Sequence, residues 1–267
     1  MLDMNNACQK SLEVVLPENL HSVINVPRSY GLCGISGKDG HRTAVCVDFF
    51  TGEVKTCAID VMALFLTPSN AAVAVVCHDG ICALQTLPIE IGADYMTKSD
   101  ALGPVQPTFA MPDGLKPEYF GNYPGVSIGT EESTSYLLSA NTGDGNWTAV
   151  MLDKEGFHIM EDIAAESLIP FRAGSDAGYI ATYGGVSLFR LVNPENGTIG
   201  QAIYTCKIGQ IISATSNSEK PGHILLNVSE ASNGLQIYDL AWNDTKSLSH
   251  ITLPNSADDY AEVLMAN

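Results

Sequence analysis

Residues 178–192 read GYIATYGGVSLFRLV. Two short runs of aromatic, apolar and β-branched residues flank a Gly-Gly pair. This composition spells two strands and a tight turn: such side chains suit a pleated surface, and glycine supplies the positive φ of a two-residue hairpin. The phrase has counterparts along the chain. Its first strand is matched by GLCGIS at 31–36, AVAVVC at 72–77, SYLLSA at 135–140 and GHILLNV at 222–228, and the five successive starts lie 41, 63, 43 and 44 residues apart. Its second strand is matched by TAVCVDF at 43–49, ICALQT at 81–86, WTAVML at 147–152 and LQIYDL at 235–240. Each pair is preceded by another apolar segment: LHSVINV, VMALFL, GVSIG, ESLIPF and KIGQIIS. In four of the five, a turn rich in Gly, Asn, Asp or Lys leads on to a further strand.

Four strands per unit at a period of about 43 residues is the spacing of propeller blades. No helical period competes; the apolar runs are short, rich in Val and Ile, and punctuated by turn residues. The repeats resemble the β-propeller superfamily over roughly residues 11–267. The resemblance is one of architecture. No Trp-Asp dipeptide occurs and Gly-His stands at only two places, 40–41 and 222–223, so the dipeptide pair of Trp-Asp repeats does not recur; LQIYDLAW at 235–242, with Asp239, comes nearest to it. It implies an all-β chain forming a single β-propeller domain, with repeats at 20–60, 61–98, 125–163, 164–206 and 207–254. KSLEVVLP at 10–17 echoes KSLSHITLP at 246–254, so both ends of the chain read as repeat boundaries, with terminal strands expected at 11–17 and 260–265. Five blades are favoured; the alternative is six, with the two ends forming an incomplete one.

The long spacing between the second and third repeats marks an insertion at 99–124, within a stretch that holds Pro104, Pro107, Pro112, Pro117 and Pro124. These prolines rule out a central strand through most of it. Tyr95, Phe109, Tyr119, Phe120 and Tyr123 make the stretch too aromatic for a flexible linker. An ordered loop on a rigid β scaffold is where function often sits, so these five aromatics are the candidate binding residues.

With 30 Asp and Glu against 13 Lys and Arg, the formal net charge is −17. Such a surface repels phosphate backbones and anionic lipids, which excludes nucleic acid and membranes as expected partners. No apolar stretch approaches the roughly 20 residues of a membrane span, and no signal peptide is visible. The seven cysteines show no C-x-x-C and no zinc spacing, and most sit in apolar runs as small hydrophobes. A reducing compartment is therefore expected, cytoplasmic or virion.

No segment carries a convincing catalytic constellation. GVSIG at 125–129 matches a nucleophile elbow around Ser127, but the phrase is a strand with no helix after it. HDG at 78–80 places His78 beside Asp79, as a polar hairpin turn does without catalysis. NTGDGN at 141–146 lacks the alternating acids of a calcium loop, and GLCGISGK at 31–38 has the wrong spacing for a phosphate loop. A glycosidase would need paired carboxylates facing the central cavity. Asp48, Asp60, Asp153, Asp162 and Asp239 instead lie near strand ends, while the first strand of each repeat is nearly free of acids. Trp147, Tyr183 and Trp242 do not recur at one repeat position, which argues against a multivalent lectin. No catalytic residue, metal ligand or cofactor is assigned, and a small-molecule ligand is disfavoured. The expected function is a non-catalytic scaffold contacting other protein subunits of a larger assembly, such as a virion or envelope complex. A carbohydrate-binding or glycosidase-like propeller is the alternative.

Overall fold

A computed structural model of the chain describes residues 2–3, 9–10, 14–26, 31–37, 41–49, 51–88, 108–130, 133–216, 222–231, 234–241 and 248–252. Apart from one 3-10 turn at Pro117–Tyr119, the regular structure among the described residues is all β. Strands β1 (Leu2–Asp3) and β2 (Gln9–Lys10) form a two-stranded ribbon. The remaining strands follow one another as antiparallel four-stranded meanders. The first is β3 (His21–Asn25), β4 (Gly31–Ser36), β5 (Thr43–Asp48) and β6 (Val54–Ile59). The second is β7 (Val61–Leu66), β8 (Ala72–His78), β9 (Ile81–Thr86) and β10 (Thr108–Ala110). The third is β11 (Gly125–Thr130), β12 (Ser133–Gly143), β13 (Asn146–Asp153) and β14 (Gly156–Ala164). The fourth is β15 (Ser167–Ala173), β16 (Asp176–Tyr183), β17 (Val186–Val192) and β18 (Ile199–Cys206). The fifth is β19 (Gln210–Ser216), β20 (His223–Glu230), β21 (Gly234–Ala241) and β22 (Leu248–Thr252). β7 and β11 also pair in parallel, Gly125 opposite Phe65, which merges the second and third meanders into one eight-stranded sheet. Four sheets therefore carry the fold beside the ribbon.

The first strands of successive meanders pack on one another in chain order: β3 on β7, β7 on β11, β11 on β15, and β15 on β19. First strands adjacent in this way, each opening a four-stranded meander, give the propeller-like arrangement the spacing implied. The core lies between meanders. Ile24, Cys33, Ile35 and Ala44 of the first meet Val61, Leu64 and Ala74 of the second. Ile169, Ile180 and Phe189 of the fourth meet Ile211, Ile224 and Leu226 of the fifth. Period-2 alternation explains this face by face: Ile224, Leu226 and Val228 are fully buried on one side of β20. Tyr179 of β16 is also fully buried, and its hydroxyl donates to the carbonyls of Leu138 (2.8 Å) and Val150 (3.0 Å). It ties the fourth meander to β12 and β13 of the third.

Two segments depart from the sequence expectation. Of the terminal strand expected at 11–17, residues 11–13 lie outside the described residues and residues 14–17 carry no strand pairing. Val14, Leu16 and Leu20 instead pack against Leu32, Val45, Val47 and Phe49, an apolar face of the first meander. Burying that face outweighs the strand propensity of a short edge segment. The other expected terminal strand, 260–265, lies outside the described residues. Within the proline-rich stretch, Thr108–Ala110 pair with β9 as the outer strand β10.

Candidate functional site

A meander that starts at one face of the array returns to it at the turn between its second and third strands, and again after its fourth. That face therefore collects residues 41–42, the turns at 79–80 and 144–145, and the links between meanders. The segment 111–124 lies across it, between β10 and β11. Arg42 holds it in place. Its Nη1 donates to the carbonyls of Phe120 (2.5 Å) and Met62 (3.3 Å), and its Nη2 donates to that of Glu118 (2.5 Å). Gly121 sits where the segment crosses this guanidinium. Its φ is +87°, and a Cβ there would lie 2.8 Å from Arg42 Nη1 and 3.0 Å from the Met62 carbonyl. Only glycine meets both demands.

His21 stands beside this clamp, and burial together with the Arg42 charge pushes its pKa below 6.5. A histidine depressed in the folded state stabilises the fold above its unfolded pKa, and that stabilisation is lost as pH falls through the folded value. His21→Gln is therefore expected to shrink the fall in melting temperature between about pH 7 and pH 5 by a few degrees, read by calorimetry at both pH values. An unchanged acid loss would contradict this role for His21.

The five aromatics expected to bind a partner fall in different places. Tyr95 lies outside the described residues. Phe109 and Phe120 are buried, at 8% and 1% exposure, in the core between the second and third meanders. Phe109 meets Phe157 edge-on at 6.3 Å. Tyr119 is half-buried against the same core, with Lys116 over its ring. Of the four described, Tyr123 alone reaches a cleft. It stacks on Trp147 with centroids 5.6 Å apart, its hydroxyl is hydrogen-bonded with Ser167, and burial raises its pKa. Asn122, Asn141, Gln210, Ile211 and Ile212 complete the wall of this cleft of about 430 Å³, which reaches from the third meander to the fifth.

A second feature occupies the same face. Cys77 and Cys82 are cross-strand partners joined by a disulfide. The loop they close, His78-Asp79-Gly80-Ile81, turns on Asp79 and Gly80, both at positive φ (49° and 77°), as a two-residue hairpin of the primed class does. This bridge corrects the expectation that the cysteines are simply reduced hydrophobes; Cys33, Cys46, Cys57 and Cys206 are indeed buried thiols. His78 Nδ1 lies 3.2 Å from Asp60, and its Nε2 lies 3.4 Å from Asp79. Ile59 and Ile81, at 67% and 59% exposure, flank the group. The Gly80 carbonyl accepts from the Met111 N–H (2.9 Å), which ties the hairpin to the crossing segment.

Ser127 sits in mid-strand on β11, opposite Tyr136, and accepts a hydrogen bond from Arg172 Nη1 (2.8 Å). No elbow forms there. The carboxylates near strand ends serve local structure. Asp48 accepts from the Thr51 N–H, and Asp162 from Thr148. Asp239 pairs with His223 at 2.7 Å. Asp153 is held below the usual carboxylate range: burial alone would raise it, but the N–H of Glu155, the His158 imidazole and the N–H of Gly156 outweigh that. The first strands β3, β7, β11, β15 and β19 contain no Asp or Glu. Among the described residues, no group of three His, Cys, Asp or Glu side chains is placed to hold a metal ion, and no helix is long and apolar enough to cross a membrane.

Arg42 and the carboxamides of the cleft escaped the sequence reading, since nothing local marks them. The bridge left a local signal, CHDGIC, with two cysteines flanking an Asp-Gly turn.

Solved structures share this architecture. The crystal structure of a DUF4784 family protein from Bacteroides caccae ATCC 43185 is 25% identical and matches with a TM-score of 0.73, over 92% of this chain and 67% of that one. The Dos1 propeller is 10% identical with a TM-score of 0.51, over 90% of this chain and 60% of its own. TolB from Acinetobacter baumannii is 8% identical with a TM-score of 0.50, over 86% and 54%. The chain thus spans between about half and two thirds of the length of these structures. No curated protein matches it. Residues 6–218 match the DUF4784 WD40-like domain, and the chain belongs to that family.

Proposed function

We propose that this WD40-like domain is a non-catalytic scaffold for protein contacts, and that the hairpin at 77–82 is a contact point. The observation that carries the reading is a rigid apolar knob on the surface. Ile81 follows the disulfide-closed turn, Ile59 ends β6 beside it, and the Asp60–His78 contact joins the two segments. A preorganised contact loses little conformational freedom on binding, which is what a recognition element needs. Asp60 and Asp79 rim the knob, so it fits an apolar socket edged by Lys or Arg. We read the array as five blades. Five successive four-stranded meanders support this. The Cys77–Cys82 bridge favours an oxidising setting, such as an envelope or cell surface, over a reducing cytoplasm.

The test is quantitative affinity capture from native extract, with wild-type chain and an Ile59→Asp/Ile81→Asp variant as parallel baits. Both positions are exposed, so the melting temperature is expected to stay within about 2 °C. A stoichiometric protein partner should be retained by wild type and reduced at least about tenfold by the variant, a loss of about 1.4 kcal/mol. Equal retention by both baits, or no partner for wild type, would overturn the reading.

A further inference from the structure

The cleft beside Tyr123 has a composition at odds with the rest of the surface. In a chain of net charge −17, its lining carries no carboxylate and no cation. Three carboxamides face it from three separate parts of the chain: Asn122 before β11, Asn141 near the end of β12, and Gln210 at the start of β19. Neither Asn122 nor Gln210 makes a side-chain hydrogen bond to any described residue, and both are exposed. Asn141 has its Oδ1 engaged by the Gly143 N–H at 2.9 Å. That leaves its NH2 group to donate. Each free carboxamide offers two donors and an acceptor in one plane. The floor between them is apolar: Tyr123 backed by the nearly buried Trp147, with Ile211 below and Ile212 at 46% exposure on the rim.

We infer that this cleft binds a neutral saccharide. A sugar ring presents vicinal hydroxyls that both donate and accept, as a carboxamide does, and a C–H face that suits an aromatic or aliphatic floor. A cation would need carboxylates in the lining, and an anion would need Lys or Arg; neither is there. A peptide bound by strand addition would need a free strand edge to pair with. These groups instead converge from turns and strand ends around a compact floor. The volume, about 430 Å³, lies within the range of small-ligand pockets. The floor is preorganised, because stacking on Trp147 and the hydrogen bond with Ser167 fix the Tyr123 ring before any ligand arrives. This site stands apart from the hairpin: the two draw on different residues, and either can fail without the other.

Saturation-transfer NMR and calorimetry with glucose, galactose, mannose, N-acetylglucosamine and their common disaccharides test it, with glucuronate as the charged control. At least one neutral sugar is expected to bind with Kd between about 0.1 and 10 mM. Asn122→Ala/Gln210→Ala should weaken that sugar at least about tenfold with an unchanged melting temperature. Tyr123→Phe, which keeps the ring, should stay within about twofold. The inference is overturned if no neutral sugar binds at about 50 mM, if glucuronate binds as tightly, or if the double variant binds like wild type.

Discussion

Arg42→Leu lowers the melting temperature by about 5–15 °C, the expected result of losing about 2–4 kcal/mol in a domain of this size. The guanidinium satisfies the carbonyls of Met62, Glu118 and Phe120 at once, joining the turn before β5, the first strand of the second meander and the crossing segment. Leucine fills part of the volume but leaves the part-buried carbonyls of Met62 and Phe120 without their donor. An acceptor shielded from water and left unmade costs more than the bond contributes net, while water can reach the exposed Glu118 carbonyl. Arg42→Lys separates geometry from charge. An ammonium is a single point of donation and does not span three carbonyls, so it should recover less than half of the loss. Limited proteolysis supplies the local readout, with cleavage within residues 111–124 expected to accelerate in Arg42→Leu before global unfolding. Melting within about 1 °C of wild type would show that the clamp carries no such load.

Tyr179→Phe is expected to cost about 1–3 kcal/mol although it removes a single oxygen. The ring is fully buried, so the variant keeps the packing and isolates the hydroxyl, whose two carbonyl partners lie on β12 and β13 of the neighbouring meander. The effect should be local as well as global: amide exchange along β12 and β13 around residues 138 and 150 should quicken more than exchange in the fifth meander. Tyr179→Ala adds a cavity and should cost about 3–5 kcal/mol. If Tyr179→Phe melts like wild type, the tie between the third and fourth meanders is packing alone.

Both residues show where sequence reading reaches and where it stops. The strands were legible because strand and turn chemistry is local. GYIATY and VSLFRLV became β16 and β17 around the Gly184-Gly185 turn, and VMALFL became β7. GVSIG was read as a first strand despite its elbow-like spacing, and it is β11. The ties between meanders were not legible. Arg42 meets Glu118 across 76 residues of chain, and Tyr179 meets Leu138 across 41. Nothing in the sequence around either residue signals its partner. The aromatics Tyr95, Phe109, Tyr119, Phe120 and Tyr123 read as one surface because they cluster in sequence. Burial sorted them instead, sending Phe109 and Phe120 into the core and leaving Tyr123 at the cleft. Residues 14–17 misled for the same reason: strand-like in composition, they are captured by an apolar face of the first meander.

The claim that this domain contacts another protein through the 77–82 hairpin is tested most directly by site-specific photocrosslinking. A photoreactive phenylalanine analogue is placed at Ile81, and separately at Ile159 and Ile203, two isoleucines on outer strands exposed at 48% and 42%. One discrete crosslinked protein product is expected from position 81, absent from positions 159 and 203, and fading when the Cys77–Cys82 bridge is reduced. Equal crosslinking from all three positions, or none from position 81, would contradict the claim.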